Sequence, residues 1–296
     1  MRRSRLTMVA GVLAVGALAL AGCQAEPGGG DGDTGGENTG GNEETDGGDG
    51  GGEGLTIGIK YDQPGLGFKD GDTFTGFDVD VATYVAEKLG YSADQITFVE
   101  AQSANRETML ENEQVDMIFA TYSITDTRDE VVDFAGPYFV AGQDLLIRSE
   151  DAGDITGPES LDGRNLCSVS GSTSAQRVKD EYAEGTQLVE VGGYSECILQ
   201  LIQGTVDAVT TDDIILAGLA ADEGSGALQV VGAPFSEENY GVGLPPGSPL
   251  CEDVNAAIQE MFDDGAWEAA VEANTEGTGY TPNADLNPPT LRECEA

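Results

Sequence analysis

Arg128 ends the segment Ser123-Ile-Thr-Asp-Thr-Arg, which directly follows an apolar run. An arginine's planar fork holds a carboxylate through two parallel hydrogen bonds. The hydroxyl and N–H of Ser123, with the backbone around Thr121, would add donors at the same place. Two more cations stand at the ends of patterned segments: Lys60 closes the first alternating apolar run, and Arg106 opens a helical one after Ser103-Ala-Asn105. Ser170-Gly-Ser-Thr-Ser174 ends a strand pattern and begins a helix pattern. The free N–H groups and hydroxyls of such a turn, with Ser170, Ser172 and Thr173 foremost, make an anion site; the Gly-Lys-Ser/Thr of a phosphate loop is absent. Asp212 follows an apolar strand at its C-terminal end, where open α/β sheets bind ligands. Each group also has a plain structural use. The cations can be solvated surface charges, and Asp212 and the serines can be helix N-caps.

Charge makes the cations informative. The chain has 13 Lys and Arg against 54 Asp and Glu, a net charge of −41. Such a molecule repels nucleic acid and anionic lipid surfaces, which need Lys and Arg to replace counterions. A small anion would be bound only where cations are gathered locally. There is no histidine, which removes imidazole acid–base chemistry, Ser-His-Asp catalysis and histidine metal ligation. No CxxC pair is present, so neither a zinc site nor thiol redox chemistry is expected; no metal and no cofactor is implied.

The elements that must position these residues alternate in type. Leu55 to Lys60 reads as a strand, Phe77 to Leu89 as a helix stopped at Gly90, Ile96 to Glu100 as a strand, Arg106 to Asn112 as a helix and Val115 to Ala120 as a strand. This βαβαβ order predicts a largely parallel sheet with helices on its faces. The rhythm returns with strands at Asn165 to Val169, Gln187 to Val191 and Val206 to Thr211, and helices at Ser174 to Ala183, Ser195 to Gln203 and Asp213 to Ala221. Two α/β halves of modest size follow, joined by the extended stretches Val131 to Arg148 and Asn239 to Leu244. The last helices are Pro249 to Asp264 and Ala266 to Ala273. Two separate crossings between halves would make a hinge.

The first 54 residues read differently. Arg2, Arg3 and Arg5 precede the apolar run Leu6 to Leu20, then Ala21, Gly22 and Cys23. The run is short for a permanent span, so residues 1–22 read as an export signal. Leu20-Ala21-Gly22-Cys23 is similar to a bacterial lipobox, which predicts lipidation of Cys23. Residues 23–54 are Gly, Asp, Glu, Thr and Asn with almost nothing apolar, a composition expected to stay disordered and to act as a tether.

Taken in order, several segments resemble one known family. They are Gly76-Phe-Asp-Val-Asp80, Ser123-Ile-Thr-Asp-Thr-Arg128, Val132-Asp-Phe-Ala-Gly-Pro-Tyr138, Cys167-Ser-Val-Ser-Gly-Ser-Thr173, Val206-Asp-Ala-Val-Thr-Thr-Asp212 and Tyr240-Gly-Val-Gly243. The resemblance, from about Leu55 to Asn274, is to the solute-binding proteins of polar amino-acid ABC importers, family 3. Tyr61-Asp-Gln-Pro-Gly-Leu-Gly67 and Thr121-Tyr-Ser-Ile124 are similar to the glutamate-binding lipoproteins of actinobacteria within it. The implied fold is a two-lobed α/β clamshell of the type II periplasmic-binding-protein kind with a two-segment hinge. Residues 55–137 and 241–296 would form lobe 1, 138–142 and 236–240 the hinge, and 143–235 lobe 2.

The resemblance also implies roles. Arg128 would hold the α-carboxylate of an amino acid with Ser123 and Thr121, and Asp212 would accept its ammonium. Ser170, Ser172 and Thr173 would close the second lobe on it, with Tyr194 at a helix start. Lys60, Ser103 and Arg106 would meet a distal carboxylate, making L-glutamate the expected ligand. Aspartate, glutamine or another polar amino acid is the alternative; a dehydratase-type enzyme and a sensory domain are rivals from other classes. The chain would be a monomeric receptor on the outer face of the cell membrane, held by its lipid alone and serving an ABC permease. Outside the cytoplasm disulfides persist, and Cys167, Cys197, Cys251 and Cys294 allow three pairings. Cys167 on a strand and Cys197 on a neighbouring helix share the second half and are paired, leaving Cys251 with Cys294.

Overall fold

Leu55-Thr-Ile-Gly-Ile59 buries four of its five residues, as a strand does when layers cover both faces of its sheet. The computed structural model describes residues 54–182 and 185–294; the basic leader, Cys23 and nearly all of the acidic segment lie outside these. Within them the chain forms β1 (Leu55–Ile59), β2 (Phe68–Asp70), β3 (Thr73–Thr75), α1 (Phe77–Lys88), β4 (Ile96–Glu100), α2 (Arg106–Glu111) and β5 (Met117–Ile118). Next come α3 (Asp126–Asp129), β6 (Asp133–Ala141), β7 (Gln143–Arg148), β8 (Asn165–Val169), α4 (Thr173–Glu181) and β9 (Gln187–Val191). The remainder is α5 (Tyr194–Ile202), β10 (Ala208–Asp212), α6 (Asp213–Asp222), β11 (Leu228–Val230), β12 (Glu238–Leu244), α7 (Cys251–Asp263) and α8 (Ala266–Thr275).

Two five-stranded sheets result, in the orders β4-β1-β5-β12-β6 and β11-β7-β10-β8-β9, with β2 and β3 forming a separate hairpin. In the first, β4, β1 and β5 run parallel and β12 lies antiparallel to β5 and β6. In the second, β10, β8 and β9 run parallel and β7 lies antiparallel to β10 and β11. Each sheet with its helices is one lobe of a type II clamshell.

The chain leaves the first sheet at Gly142, between β6 and β7, and returns between β11 and β12. The extended stretch expected over Val131 to Arg148, broken by Gly136-Pro137 and Gly142, is two strands in different sheets that divide at Gly142. The two crossings touch: a Cβ on Gly142 would stand 2.8 Å from the Pro234 side chain, and Gln143 N–H donates to the Ser236 hydroxyl at 3.0 Å. The expected strand Val115 to Ala120 is only Met117–Ile118, flanked by the bonds Asp116 N–H to Thr56 O and Phe119 N–H to Gly58 O, and the backbone turns at Thr121, whose φ is +46°.

The first lobe centres on an aromatic cluster. Trp267 meets Phe77 and Phe262 edge-on and stacks on Phe139, while its indole N–H donates to Tyr138 O at 2.8 Å. Cys167 is bonded to Cys197 and Cys251 to Cys294, joining β8 to α5 and α7 to the segment beyond α8. Among the described residues no helix is long and apolar enough to cross a membrane.

Candidate functional site

The C-terminal ends of β1 and β5 deliver the polar groups of the first lobe. Lys60, one residue beyond β1, is 4% exposed and donates from Nζ to Ser103 Oγ at 2.7 Å. Burial, then the nearby Arg106 charge, brings its pKa down to about 7. Arg106 opens α2 and is also buried. Its guanidinium lies 4.1 Å above the Tyr122 ring and donates to Ala120 O at 2.9 Å; burial, then repulsion from Arg128, lowers its pKa to about 10.

Arg128 approaches the same Tyr122 ring at 4.8 Å. It donates to Ser123 O at 2.6 Å, to Glu107 Oε1 at 3.0 Å and, across the cleft, to Gly171 O at 3.0 Å. Two guanidinium groups on one aromatic ring repel each other, an arrangement that an anion between them relieves. Behind them Asp78, fully buried at the start of α1, accepts Tyr138 O–H at 2.7 Å and Thr121 N–H at 3.0 Å. These bonds hold the left-handed turn at Thr121, a conformation a non-glycine residue adopts only when its surroundings enforce it. Burial raises the Asp78 pKa to about 6 despite both bonds.

The second lobe faces this wall with a helix start and a strand end. Ser172 caps α4, its hydroxyl accepting Ala175 N–H at 3.0 Å. Thr173 comes within 3.4 Å of the Ser123 hydroxyl of the first lobe. Asp212 is the last residue of β10 and 3% exposed. Its Oδ2 accepts Tyr240 O–H, from β12, at 2.6 Å, and its side chain makes no cap for α6. Burial, then the Glu238 charge, holds its carboxyl well above the usual carboxylate range. Tyr194 opens α5, and burial pushes its phenol up to about 12.

Between the lobes lies a narrow cavity with a free volume of about 10 Å³, room for about one water molecule. Ser103, Arg106, Thr121, Ser123, Ser172, Thr173, Tyr194 and Asp212 all line it, together with Gln63, Ser174, Thr211 and Ile215. Lys60 sits behind Ser103. Arg128 does not line the cavity but lines a neighbouring pocket that shares Ser103, Ser172 and Thr173, and the Ser170 N–H is bound to Val191 O on the β9 side of its turn. Sequence patterns gave no reason to single out Gln63, Asp78 or Tyr122, although all three stand in segments that carried the resemblance, 61–67, 76–80 and 121–124. Three cavity-lining residues each have a buried polar atom without a protein partner: Gln63 Nε2, Arg106 Nε and Asp212 Oδ1. Buried polar groups are otherwise nearly always bonded. Two free donors and one free acceptor in so small a space describe a site for a molecule with both negative and positive groups.

A two-lobed α/β fold closed over a small, polar, charge-lined cavity defines a receptor for small solutes. Residues 55–275 match the bacterial extracellular solute-binding proteins, family 3, and the chain belongs to that family; it is a receptor and not an enzyme. It is 44% identical over 231 residues to the glutamate-binding protein GluB of Corynebacterium efficiens, covering 74% of this chain and 78% of that one. With the ABC transporter glutamine-binding protein GlnH of Bacillus subtilis it shares 36% identity over 72% of this chain and 78% of that one. An ancestral arginine-binding protein bound to glutamine matches the fold with a TM-score of 0.68 and 33% identity, over 74% of this chain and 96% of the other.

Proposed function

We propose that this chain captures L-glutamate, or a close acidic or polar amino acid, and delivers it to an ABC import permease while held at the outer face of the membrane through a lipid on Cys23. The observation that carries the reading is the trio of unpartnered atoms, Gln63 Nε2, Arg106 Nε and Asp212 Oδ1, in one interlobe cavity. Asp212 takes the ligand ammonium. Arg128 with Ser123 and the α4 turn (Ser172, Thr173) takes the α-carboxylate, and Lys60, Ser103 and Arg106 take the distal one, with Thr121 and Tyr194 as part of the wall. The protein works as a monomer. Residues 138–142 and 236–240 act as the hinge between a lobe of 55–137 with 241–296 and a lobe of 143–235, and the ligand shifts the population toward closure.

Glutamine is the second reading. It is supported by the glutamine-binding relative and by a Lys60 ammonium that burial brings down to about 7 in the closed structure without ligand. Calorimetry of the chain against the twenty amino acids separates the readings. Glutamate should bind tightest, and Arg128→Ala should remove binding of every amino acid. Tight binding of lysine without glutamate would overturn the assignment of Lys60 and Arg106.

A further inference from the structure

The segment from Tyr61 to Gly67, between β1 and β2, is fastened to its own lobe. Gln63 N–H donates to Gly67 O and Leu66 N–H to Gln63 O, both at 3.0 Å, while Phe77 and Asp78 at the start of α1 donate to Gly65 O and Leu66 O. Leu66 is fully buried, and a Cβ on Gly76 would fall 1.9 Å from its carbonyl oxygen. This is a rigid loop, and two of its residues reach the opposite lobe.

Asp62 Oδ2 accepts the N–H of Tyr194, the first residue of α5, at 2.6 Å. The N-cap of α5 is Gly193, which has no side chain to satisfy that donor, so a carboxylate from the other lobe does so, where the helix dipole favours negative charge. A few ångströms of loop later, Pro64 presents its carbonyl to the middle of α6. A Cβ on Gly218 would lie 2.1 Å from Pro64 O, and one on Gly193 2.5 Å from Asp62 Oδ2. Neither glycine has a positive φ, and glycine is among the poorest residues inside a helix. Their own backbones do not require glycine; the approach of the other lobe does.

We infer that the Tyr61–Gly67 loop is the latch of the closed state. Asp62 caps α5 and Pro64 seats against Gly218 only when the lobes meet, so these positions set how long a ligand is retained without selecting which ligand. The inference rests on the receptor reading for the ligand but not for the latch geometry. Its test uses the full chain, native and as Gly218→Ala and Asp62→Ala, with L-glutamate and L-glutamine as probes. Interlobe distances by spin-label pairs and dissociation rates are the readouts. Gly218→Ala should leave the ligand-free melting temperature unchanged or higher, because alanine favours the helix. It should also speed dissociation at least tenfold, keep the ranking of the two probes and keep the lobes apart. Asp62→Ala should speed dissociation in the same way. Native-like closure and dissociation in Gly218→Ala, or a reversed ranking of the probes, would overturn the latch. Distances are also taken without ligand. A native chain that binds neither probe overturns the ligand assignment, and the latch is then decided by whether the native closed fraction is lost or kept in Gly218→Ala.

Discussion

Burial, with the Arg106 guanidinium beside it, brings the Lys60 ammonium down to about 7 in the closed structure without ligand. A carboxylate ligand favours the charged form and raises that value. Its contribution to binding is therefore complete below pH 7 and is lost as the pH rises from there toward the higher value of the complex. Asp212 has the opposite sign. Burial and Glu238 hold its carboxyl high, and a ligand ammonium at Oδ1 would lower it, so that contribution is lost as the pH falls through the value of the closed structure without ligand. Glutamate affinity should accordingly fall above pH 7, by at most about tenfold per unit. Lys60→Met should flatten that alkaline limb. Calorimetry at pH 7.5 in buffers of different ionisation enthalpy should show its proton balance shifted toward release. An alkaline limb unchanged in Lys60→Met would remove Lys60 from the ligand's charge balance.

At the scale of elements, β12 supports the site without lining it. Gly243 on this strand faces the Tyr122 ring, and a Cβ there would stand 2.7 Å from it and 2.9 Å from Leu110. Tyr122 is the surface on which both Arg106 and Arg128 lie. Gly243→Ala should cost about 1–3 kcal/mol of stability by overpacking and should also weaken ligand binding by tilting that ring. Denaturant titration and calorimetry on the same preparation check the two effects; a stability loss with native affinity would mean that the ring does not position the arginines. This dependence also shows where sequence reading stops. The α1 helix and the alternation of β1, β4, β5, β8, β9 and β10 with helices were legible because apolar periodicity and glycine stops are local. Arg106 and Asp212 were legible as chemistry at element ends. The β2–β3 hairpin was not, since three-residue strands carry no period. Gln63, Asp78 and Tyr122 were missed because their roles come from partners 43 or more positions away, as in the Thr121–Asp78 and Thr121–Gln63 bonds, or from tertiary stacking on Arg106.

At the scale of the molecule, the chain beyond α8 runs back along the crossing. Tyr280 O–H donates to Asp213 Oδ1 at 3.2 Å, at the start of α6, and Asn287 pairs with both backbone groups of Val140 at 2.9 and 2.8 Å. Arg292 pairs with Asp129, and Cys294 closes a 43-residue loop on Cys251. Replacing both cysteines by serine should cost about 4 kcal/mol in the loop-entropy account, read as a lower denaturant midpoint. Charge acts over the same range. Among the described residues Lys88, Arg128, Arg148, Arg177, Lys179 and Arg292 are each ion-paired with an acid, and the surplus within the net −41 is carboxylate. That surplus repels itself and any anion approaching from solution. The buried Lys60, Arg106 and Arg128 act at contact distance, where salt screens little. Raising salt from 0.01 to 1 M shortens the screening length from about 30 to 3 Å. The melting temperature should therefore rise, and glutamate should associate faster, the reverse of an electrostatically steered encounter. A melting temperature that falls steadily with sodium chloride, or an association rate that slows, would mean that the acidic surface is not what limits stability and capture.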